Sequence, residues 1–292
     1  MAKKFSKPEL SRRINGDLPQ ETKIIEESTK QRFDMFLLEN YPEYSRATIQ
    51  KFIKEGYATI DGKIIKKPNY LLEPSKNTVE LTPPKTSSNE RPPIIYEDDN
   101  VIVFNKPIGM LSVKKGAYIA EPSIDDFGEL AHRLDRDTSG VIIVAKNLET
   151  KSMLQRQFAE RKTHKTYYAV VVGHPAQKHA IISVPLTRNL KHPTTFIADP
   201  NGREATTEYK VIAENEKYSL VELKPRTGRT HQLRIHMAHI GTPILGDKVY
   251  NPKSPKADRM YLHATTLEIT IPEGKRMTFT APLPESFRDA VR

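Results

Sequence analysis

The sequence contains no cysteine, and this absence excludes a disulfide framework, a zinc–thiolate site and a thiol nucleophile. It also lacks any apolar run that approaches the roughly 18 residues of a membrane-spanning helix. The longest apolar runs, Val141–Ala145 and Ala169–Val172, have the length of strands. The N-terminal lysines are not followed by the apolar core of a signal peptide, and an acidic residue occurs as early as Glu9. We therefore expect a cytoplasmic protein that does not enter the membrane.

Positive charge is in excess, with 46 lysine and arginine residues against 36 aspartate and glutamate residues, and the net charge is +10. An excess of this size favours a polyanionic partner, because neutralising phosphates releases counterions. Charge alone is equally compatible with a basic protein that binds no nucleic acid. The excess is present both before and after residue 90, so neither half is an acidic module joined to a basic one.

Proline and polar residues divide the chain at residues 83–93, which read PPKTSSNERPP and have the composition of a linker. Before it, residues 29–82 predict a small α/β module with two helices, the second capped by Ser45, and a hairpin turn at Asp61–Gly62. Residues 1–28 mix charge with proline, serine and glycine, and predict a tail with a short strand near Thr22–Ile25. Residues 94–292 form the larger remaining domain.

Strands outnumber helices in this larger domain. Seven runs have the composition of strands: Ile94–Tyr96, Val101–Asn105, Val141–Ala145, Tyr167–Val172, Glu208–Ala213, Ser219–Leu223 and Leu267–Thr270. Two helices are predicted, one over Leu148–Glu160 with Asn147 as its cap, and one over Thr230–His239 after a turn that contains glycine. Because strands and helices do not alternate regularly, the pattern favours a mixed α+β fold over a doubly wound sheet.

A cluster of charged residues precedes the apolar run Val141–Ala145. Residues 132–140 read HRLDRDTSG and place Asp135 and Asp137 beside two arginines. Catalytic groups concentrate in loops held by rigid elements, and a carboxylate kept ionised by an arginine can act as a nucleophile. Taken alone, the segment is better explained as a surface turn with solvated ion pairs. A carboxylate pair could also serve a glycosidase, although residues two apart in a turn tend to point apart.

Two further segments combine basic or aromatic residues with a turn or a strand. Residues 226–236 read RTGRTHQLRIH, in which Gly228 permits a tight turn before a helix that begins with cations. Cations are unfavourable at a helix N-terminus, so they indicate a docked anion, unless the segment is only a basic helix start. Residues 165–169 read KTYYA, and a tyrosine there could either stack on a nucleobase or fill the core.

Together these segments resemble the RluA family of pseudouridine synthases. The resemblance rests on HRLDRDTSG, on KTYYA, and on RTGRTHQLRIHM followed by GTPILGD, in the same order and at similar spacing. Residues 33–81 resemble the alpha-L motif, a small RNA-binding module first described in a ribosomal small-subunit protein. The resemblance implies a catalytic domain of α+β class, with a mixed, mainly antiparallel β-sheet, flanking helices and a central cleft. The segment between residues 109 and 131 departs from the family, in which it is usually longer.

The resemblance also assigns roles to individual residues. Asp135 matches the catalytic aspartate, and Arg234 matches the arginine that pairs with it. Tyr167 matches the tyrosine that stacks on the flipped base and assists proton removal. Arg133 matches the residue that fills the gap left in the RNA by the target uridine, and we expect Leu233 to pack near the same pocket. We assign further RNA contacts to His132, Arg136, Arg229, His231, Gln232, Arg46, Lys51 and Lys54.

The implied function is the isomerisation of specific RNA uridines to pseudouridine, with large-subunit ribosomal RNA as the expected substrate. This reaction exchanges a bond from sugar to nitrogen for one from sugar to carbon, so we expect no cofactor, including no nucleotide cofactor, and no metal. We expect a monomer whose partner is RNA. Two alternatives stay open: a non-catalytic RNA-binding or ribosome-assembly protein, and a synthase directed at transfer RNA.

Overall fold

The computed structural model describes residues 3–5, 30–82, 91–114 and 122–292. They form two compact units, one within residues 1–88 and 114–120 and the other within residues 89–113 and 121–292. The strand predicted near Thr22–Ile25 and most of the predicted linker lie outside the described residues. Lys3–Phe5, predicted to belong to a tail, forms a strand of the first unit.

The first unit combines two helices with a small antiparallel sheet. Its helices are α1 (Phe33–Asn40) and α2 (Arg46–Glu55), and its strands are β1 (Lys3–Phe5), β2 (Gln31–Arg32), β3 (Ala58–Ile60), β4 (Lys63–Ile64), β5 (Leu71–Leu72) and β6 (Val79–Leu81). The sheet order is β1-β6-β3-β4, and β2 pairs separately with β5. Phe33, Leu37, Ile49, Phe52 and Ile53 are buried in one cluster, so both predicted helices contribute to the core of this unit.

Local signals set the ends of these elements. The Ser45 hydroxyl accepts a hydrogen bond from the Thr48 backbone N–H at 3.2 Å and so caps α2. Gly56 ends the helix with a φ of 90°, in the left-handed region. Asp61 and Gly62, with φ of 50° and 75°, form the tight turn of the β3–β4 hairpin. The predicted cap and hairpin are therefore both confirmed.

The second unit is built on one ten-stranded sheet. The strands of this unit, ten in the main sheet and two in a separate hairpin, are β7 (Ile94–Glu97), β8 (Val101–Lys106), β9 (Glu129–Leu130), β10 (Ser139–Ala145), β11 (His164–Val172), β12 (His179–Ser183), β13 (Leu186–Arg188), β14 (Phe196–Ala198), β15 (Thr206–Glu214), β16 (Tyr218–Pro225), β17 (Leu262–Thr270) and β18 (Arg276–Thr280). Its helices are α3 (Leu148–Ala159), α4 (Gln232–His239) and α5 (Glu285–Asp289), with 3₁₀ turns at Ile124–Asp126 and Pro272–Gly274.

The order of the main sheet is β12-β15-β16-β11-β17-β10-β8-β7, with β18 beside β17 and β9 beside β10, while β13 and β14 form a separate hairpin. β10 and β17 are parallel, whereas the neighbouring pairs along the sheet are antiparallel. Leu154 of α3 and Leu233 of α4 belong to two different apolar clusters of the sheet. The mixed, mainly antiparallel α+β class is thus confirmed.

The sequence pattern missed β12, β13, β14, β18 and α5. Each is only three to five residues long and largely exposed or half-buried, so its apolar pattern is weak. These elements are held by pairing or packing against distant segments, as in the contact of β12 with β15. The helix predicted from Thr230 begins two residues later, because His231 has a φ of 57° and cannot continue a right-handed helix.

Two backbone features place the ends of β10 and β11. Gly140 has a φ of 113°, and a Cβ atom there would lie 2.1 Å from the Ala264 carbonyl oxygen of β17, so only glycine permits this close approach. Between Thr166 and Tyr167 the pairing of β11 with β17 shifts by one residue, which is a β-bulge. Bulges re-aim side chains, and this one precedes a tyrosine that lines the cleft described next.

Candidate active site

The second unit contains a cleft of about 400 Å³. Its walls come from the loop of residues 132–138, the beginning of β11, and the turn of residues 225–231 together with the first residues of α4. The three segments singled out in the sequence are therefore brought together, although Asp135 and Arg234 are 99 positions apart. This convergence makes the cleft the candidate active site.

Asp135 projects into the cleft from a turn closed by a hydrogen bond from the Thr138 N–H to the Asp135 carbonyl. Leu134, beside it, is buried, and its N–H and carbonyl are both bonded to the Ser112 hydroxyl. The Asp135 side chain is 19% exposed, so it is partly dry but reachable from the cleft. Asp137 is exposed and does not line the cleft, so the two aspartates do not form a facing pair.

Arg234 is the partner of Asp135, with Nη1 donating to Oδ2 at 3.1 Å. The same guanidinium donates from Nε and Nη2 to both carboxylate oxygens of Asp247, at 2.7 and 2.8 Å. Burial alone would lower the pKa of Arg234, but Asp247 and Asp135 raise it well above its usual value. A bidentate contact fixes the plane of a guanidinium. Asp247 therefore aims the third nitrogen of the Arg234 guanidinium, Nη1, at Asp135.

Asp247 is itself held by two backbone N–H groups, those of Val249 and Tyr250, which donate to Oδ1 at 2.9 and 3.1 Å. Burial alone would raise the pKa of this carboxyl, but the hydrogen bonds from Arg234 and from the two N–H groups outweigh it and keep the pKa below its usual value. The Arg234 guanidinium lies 5.1 Å from the centre of the Tyr250 ring. Arg234 is thus fixed on both its edge and its face.

His231 flanks the other oxygen of Asp135, with Nε2 at 3.8 Å from Oδ1. Its Nδ1 lies 2.8 Å from the Tyr250 hydroxyl, which also accepts a hydrogen bond from the Phe196 N–H at 3.0 Å. Burial lowers the pKa of His231, although the charge of Asp135 opposes this shift. His231 is therefore built into the carboxylate's surroundings and does not extend into solvent as a free phosphate-binding cation.

The wall facing this network is formed by β11. Tyr167 and Lys165 line the cleft from this strand, and Leu233 lines it from α4 and packs in the same apolar cluster as Tyr167. Burial, reinforced by the charge of Asp135, raises the pKa of Tyr167 far above its usual value, so the phenol is uncharged at neutral pH. The cleft thus combines a charged wall and an aromatic wall.

Among the predicted RNA-binding residues, Arg133 is exposed and lines the cleft, and Arg229 lines it while donating from Nε to the Glu204 carbonyl. Arg136 is exposed but does not line the cleft, and its Nε donates to the Gly109 carbonyl at 3.0 Å. Arg133 is therefore the predicted cation with the most freedom to meet a ligand at the mouth of the cleft.

Two predicted RNA contacts, Gln232 and His132, line the cleft but are hydrogen-bonded to other parts of the protein. The amide of Gln232 is buried and bonded on both sides, since its oxygen accepts from Thr227 and the Arg229 N–H and its nitrogen donates to the Thr206 carbonyl and the Thr207 hydroxyl. Gln232 therefore fixes the turn before α4 and has no group left for RNA. Sequence spacing does not reveal which amides already have hydrogen-bond partners within the protein.

His132 is the second of these two predicted RNA contacts. Its ring stacks on Phe158, with ring centres 4.6 Å apart, and its Nε2 accepts a hydrogen bond from the Ile143 N–H at 3.1 Å. Burial, with a contribution from nearby Lys165, lowers the pKa of His132 to about 3. A neutral imidazole that already accepts a backbone hydrogen bond is a poor phosphate ligand, so His132 supports the loop and does not bind RNA as a cation.

The remaining predicted contacts lie on α2 of the first unit. Lys51 and Lys54 are exposed, and Arg46 donates to the buried carboxylate of Asp34 at 3.2 Å. Burial alone would raise the pKa of Asp34, but hydrogen bonds from Arg32, Gln50 and Arg46 lower it to about 2. Arg46 is half-exposed, so the buried carboxylate holds its guanidinium on the surface of this unit.

Sequence reasoning missed three residues of the site. Asp247 ends the motif GTPILGD, so it was visible in the resemblance but received no role. Tyr250 had no signal in the sequence. Lys106 is fully buried, and its Nζ donates to the carbonyls of Pro107, Met110 and Arg136, which ties its own loop to the loop that carries Asp135. Burial lowers the pKa of Lys106 to about 7.

The described residues contain no cluster of three or more histidine, cysteine, aspartate or glutamate side chains that could hold a metal ion. In the same part of the chain no helix is long and apolar enough to cross a membrane.

Comparisons with known proteins agree on the class to which this fold and this cleft belong, that of RNA-modifying enzymes. Residues 100–239 match the family model described as RNA pseudouridylate synthase, and residues 31–76 match the S4 domain, an RNA-binding domain. The predicted resemblance is confirmed for both parts of the chain. RNA is therefore the partner of this protein.

Individual relatives identify the family. An uncharacterised RNA pseudouridine synthase of Aquifex aeolicus is 33% identical, over 90% of this chain and 93% of its own. Ribosomal large subunit pseudouridine synthase D of Borreliella burgdorferi is 34% identical, over 88% of this chain and 87% of its own. The solved structure of human RNA pseudouridylate synthase domain containing 1 has a TM-score of 0.58 and 28% identity, over 67% of this chain and 85% of that one. The chain belongs to the RNA pseudouridine synthases, which are isomerases acting on RNA uridines.

Proposed function

We propose that this synthase modifies uridines of large-subunit ribosomal RNA and that Asp135 is its catalytic carboxylate. The observation that carries the proposal is the contact between Asp135 and Arg234 at 3.1 Å inside an open cleft. In a protein that only bound RNA, a carboxylate at this position would repel the phosphates. The name of the Borreliella relative and the S4 domain support ribosomal RNA as the substrate.

The chemistry conserves all atoms of the uridine. The bond between C1′ of the ribose and N1 of uracil breaks, a bond between C1′ and C5 forms, and the proton of C5 is lost while N1 gains one. We assign Asp135 to the reacting sugar or base, and Arg234 to its orientation and charge. Because no electron leaves the substrate, we expect no cofactor.

The target base must leave the RNA stack to reach this cleft, at a cost of a few kcal/mol. We assign Tyr167 to stacking on the flipped uracil and Arg133, at the mouth of the cleft, to the gap that the base leaves. Both contacts offset the cost of flipping. Leu233 packs in the same apolar cluster as Tyr167 and supports its ring.

We further propose that residues 29–82 act as the RNA-binding module, that residues 83–93 link it to the catalytic domain of residues 94–292, and that residues 1–28 are an N-terminal tail. The exposed Lys51 and Lys54 on α2 would face RNA phosphates, and Arg46 is held on the surface near them. A ribosomal RNA substrate would place the protein in the cytoplasm, and we propose that it acts there as a monomer.

The substrate assignment is tested by incubating the protein with unmodified transcripts of large-subunit ribosomal RNA and of transfer RNA and mapping pseudouridine at single-nucleotide resolution. We expect product at one or a few uridines of the ribosomal transcript. Product confined to transfer RNA would refute the substrate assignment. Release of free uracil without pseudouridine would instead indicate a glycosidase, and RNA binding without either product would indicate an assembly factor.

The proposed stacking role predicts different outcomes for two substitutions of Tyr167. Tyr167→Phe keeps the ring, and we expect product formation within about tenfold of wild type, because stacking on one base is worth roughly 1–3 kcal/mol. Tyr167→Leu removes the ring, and we expect a loss of up to about a hundredfold on the same basis. The rates are measured under single-turnover conditions. Equal, severe losses in both variants would show that the hydroxyl takes part in proton transfer and that stacking is not its main role.

A further inference from the structure

The cations that line the cleft differ in how they are used. Arg234 is bonded to two aspartates, as described above. Arg226 pairs with Glu208 at 3.3 Å, and Arg161 pairs with Glu204 at 3.1 Å. The fourth, Arg229, donates to the Glu204 carbonyl. Each of these four guanidinium groups therefore already has a protein acceptor.

Two cleft cations stand apart from this set, Arg133 and Lys165. Neither has a hydrogen bond or an ion pair with any residue in the described ranges of the chain. Arg133 is exposed, so water solvates its charge. Lys165 is only partly exposed and lies within the cleft wall, on the same strand as Tyr167.

The position of Lys165 is defined by its neighbours. Its Nζ lies 3.8 Å from the place where a Cβ of Gly228 would be, so it sits against the backbone of the turn that leads into α4. Apart from its neighbours in the chain, no other atom of the described residues comes within 4 Å of that place. Lys165 and Gly228 both line the cleft, so a ligand in the cleft can reach the ammonium beside this turn.

An amine in this position is electrostatically unsatisfied. Burial lowers the pKa of Lys165, and no nearby acidic group opposes the shift. Cations removed from water are usually paired, because an uncompensated buried charge is costly. The other cations of the same cleft are paired or solvated, so Lys165 is the cleft cation that the described residues leave for a ligand to pair with.

We propose that the Lys165 ammonium binds a non-bridging phosphate oxygen of the RNA strand that carries the target uridine, where Lys165 and Gly228 together line the cleft. The inference rests on the proposed RNA substrate and adds a binding site to it. A phosphodiester is favoured over a uracil carbonyl because it carries a full negative charge and lies on the outside of the strand, and because Gly228 beside the ammonium is exposed. A phosphate would also restore the charge balance of the cleft.

The test uses the full-length protein, an unmodified transcript of large-subunit ribosomal RNA, and the variants Lys165→Met and Lys165→Arg. Each phosphate contact to a single strand contributes about 0.7 to the slope of log Kd against log salt concentration. We expect Lys165→Met to lower this slope by that amount and to weaken binding about tenfold at low salt. Lys165→Arg is expected to retain the slope.

The matched control is Lys162→Met, since Lys162 is exposed and pairs with Glu160 outside the cleft. Its slope should equal that of wild type. Thermal melting of each variant checks that the fold is retained, and the single-turnover rate at saturating RNA is measured for each variant to separate binding from the chemical step.

An unchanged slope in Lys165→Met would overturn the proposal, and so would a rate loss at saturating RNA without a change in slope, which would place Lys165 against the base. If wild type binds the transcript but forms no pseudouridine, the proposed substrate fails. The slopes still decide whether Lys165 contacts a phosphate of the RNA that was bound.

Discussion

Replacing Asp135 by asparagine is expected to reduce pseudouridine formation by roughly 10³-fold or more, the scale on which loss of a central catalytic group acts. The amide has nearly the same shape as the carboxylate and its oxygen can still accept a hydrogen bond from Arg234, so the cleft should keep its geometry. It carries no negative charge and cannot act as a nucleophile or accept a proton. The measurement is the single-turnover rate on the ribosomal transcript, together with Kd for the same RNA, which should change by less than about threefold.

Asp137→Asn is the matched control for this experiment. The residue lies two positions away in the same loop but is exposed and outside the cleft. Its product formation should stay close to that of wild type. Near-normal turnover by Asp135→Asn, or an equal loss in both variants, would reject the assignment of the catalytic carboxylate.

Removing the second carboxylate, by Asp247→Ala, is expected to lower both stability and activity. The Asp247 side chain is 1% exposed, and the Arg234 side chain is 8% exposed. Breaking one partner of such a buried pair costs about 3–5 kcal/mol, because the other charge is left without its partner. Arg234 also loses the contact that aims it at Asp135, so the rate per folded molecule should fall. Urea unfolding and single-turnover kinetics measure the two effects.

The stability effect of Asp247 should depend on pH with a defined sign. Its pKa in the folded protein lies below the usual value, so the carboxyl contributes stability that is fully present above the unfolded pKa of about 3.9. This contribution is lost as the pH falls through the folded pKa. The difference in unfolding free energy between wild type and Asp247→Ala should therefore be constant near neutral pH and shrink below about pH 4.

The control for this experiment is Glu268→Gln, which breaks the exposed pair between Glu268 and Arg276 on β17 and β18. Surface pairs contribute about 0–1 kcal/mol, so its unfolding free energy should barely change. Equal losses of unfolding free energy in Glu268→Gln and Asp247→Ala would show that the buried network contributes no more stability than a surface ion pair. Full activity in Asp247→Ala would show that Arg234 needs no second carboxylate to hold it.

Much of the fold was predictable because its signals are local. The caps at Ser45 and Asn147 depend on a hydroxyl or amide three residues before a free N–H, as the contacts with Thr48 and Thr150 show. Long apolar strands such as β10 and β11 can be predicted from their composition. Short strands such as β13 and β14 do not, because three residues carry too little pattern and depend on their partner for stability.

The candidate site shows the same difference between local and non-local signals. The sequence alone was enough to choose Asp135, Arg234 and Tyr167, because their motifs occur in a characteristic order. The sequence could not distinguish residues whose polar groups are free to contact a ligand from residues whose polar groups bond within the cleft wall. His132 and Gln232 are polar members of those motifs, yet their hydrogen bonds are filled by Ile143 and by groups near Thr206.

What the sequence determined by itself is therefore the family, since it is recorded in the type and order of neighbouring residues. The domain bounds and the catalytic role of Asp135 are predictions drawn from the same motifs. Only the tertiary structure decided that Asp247 fixes the plane of Arg234 and that Lys165 lines the cleft with no hydrogen-bond or ion-pair partner among the residues that the structure describes. Whether a charge is free or satisfied depends on atoms brought within about 3 Å by folding, and those atoms come from distant parts of the chain.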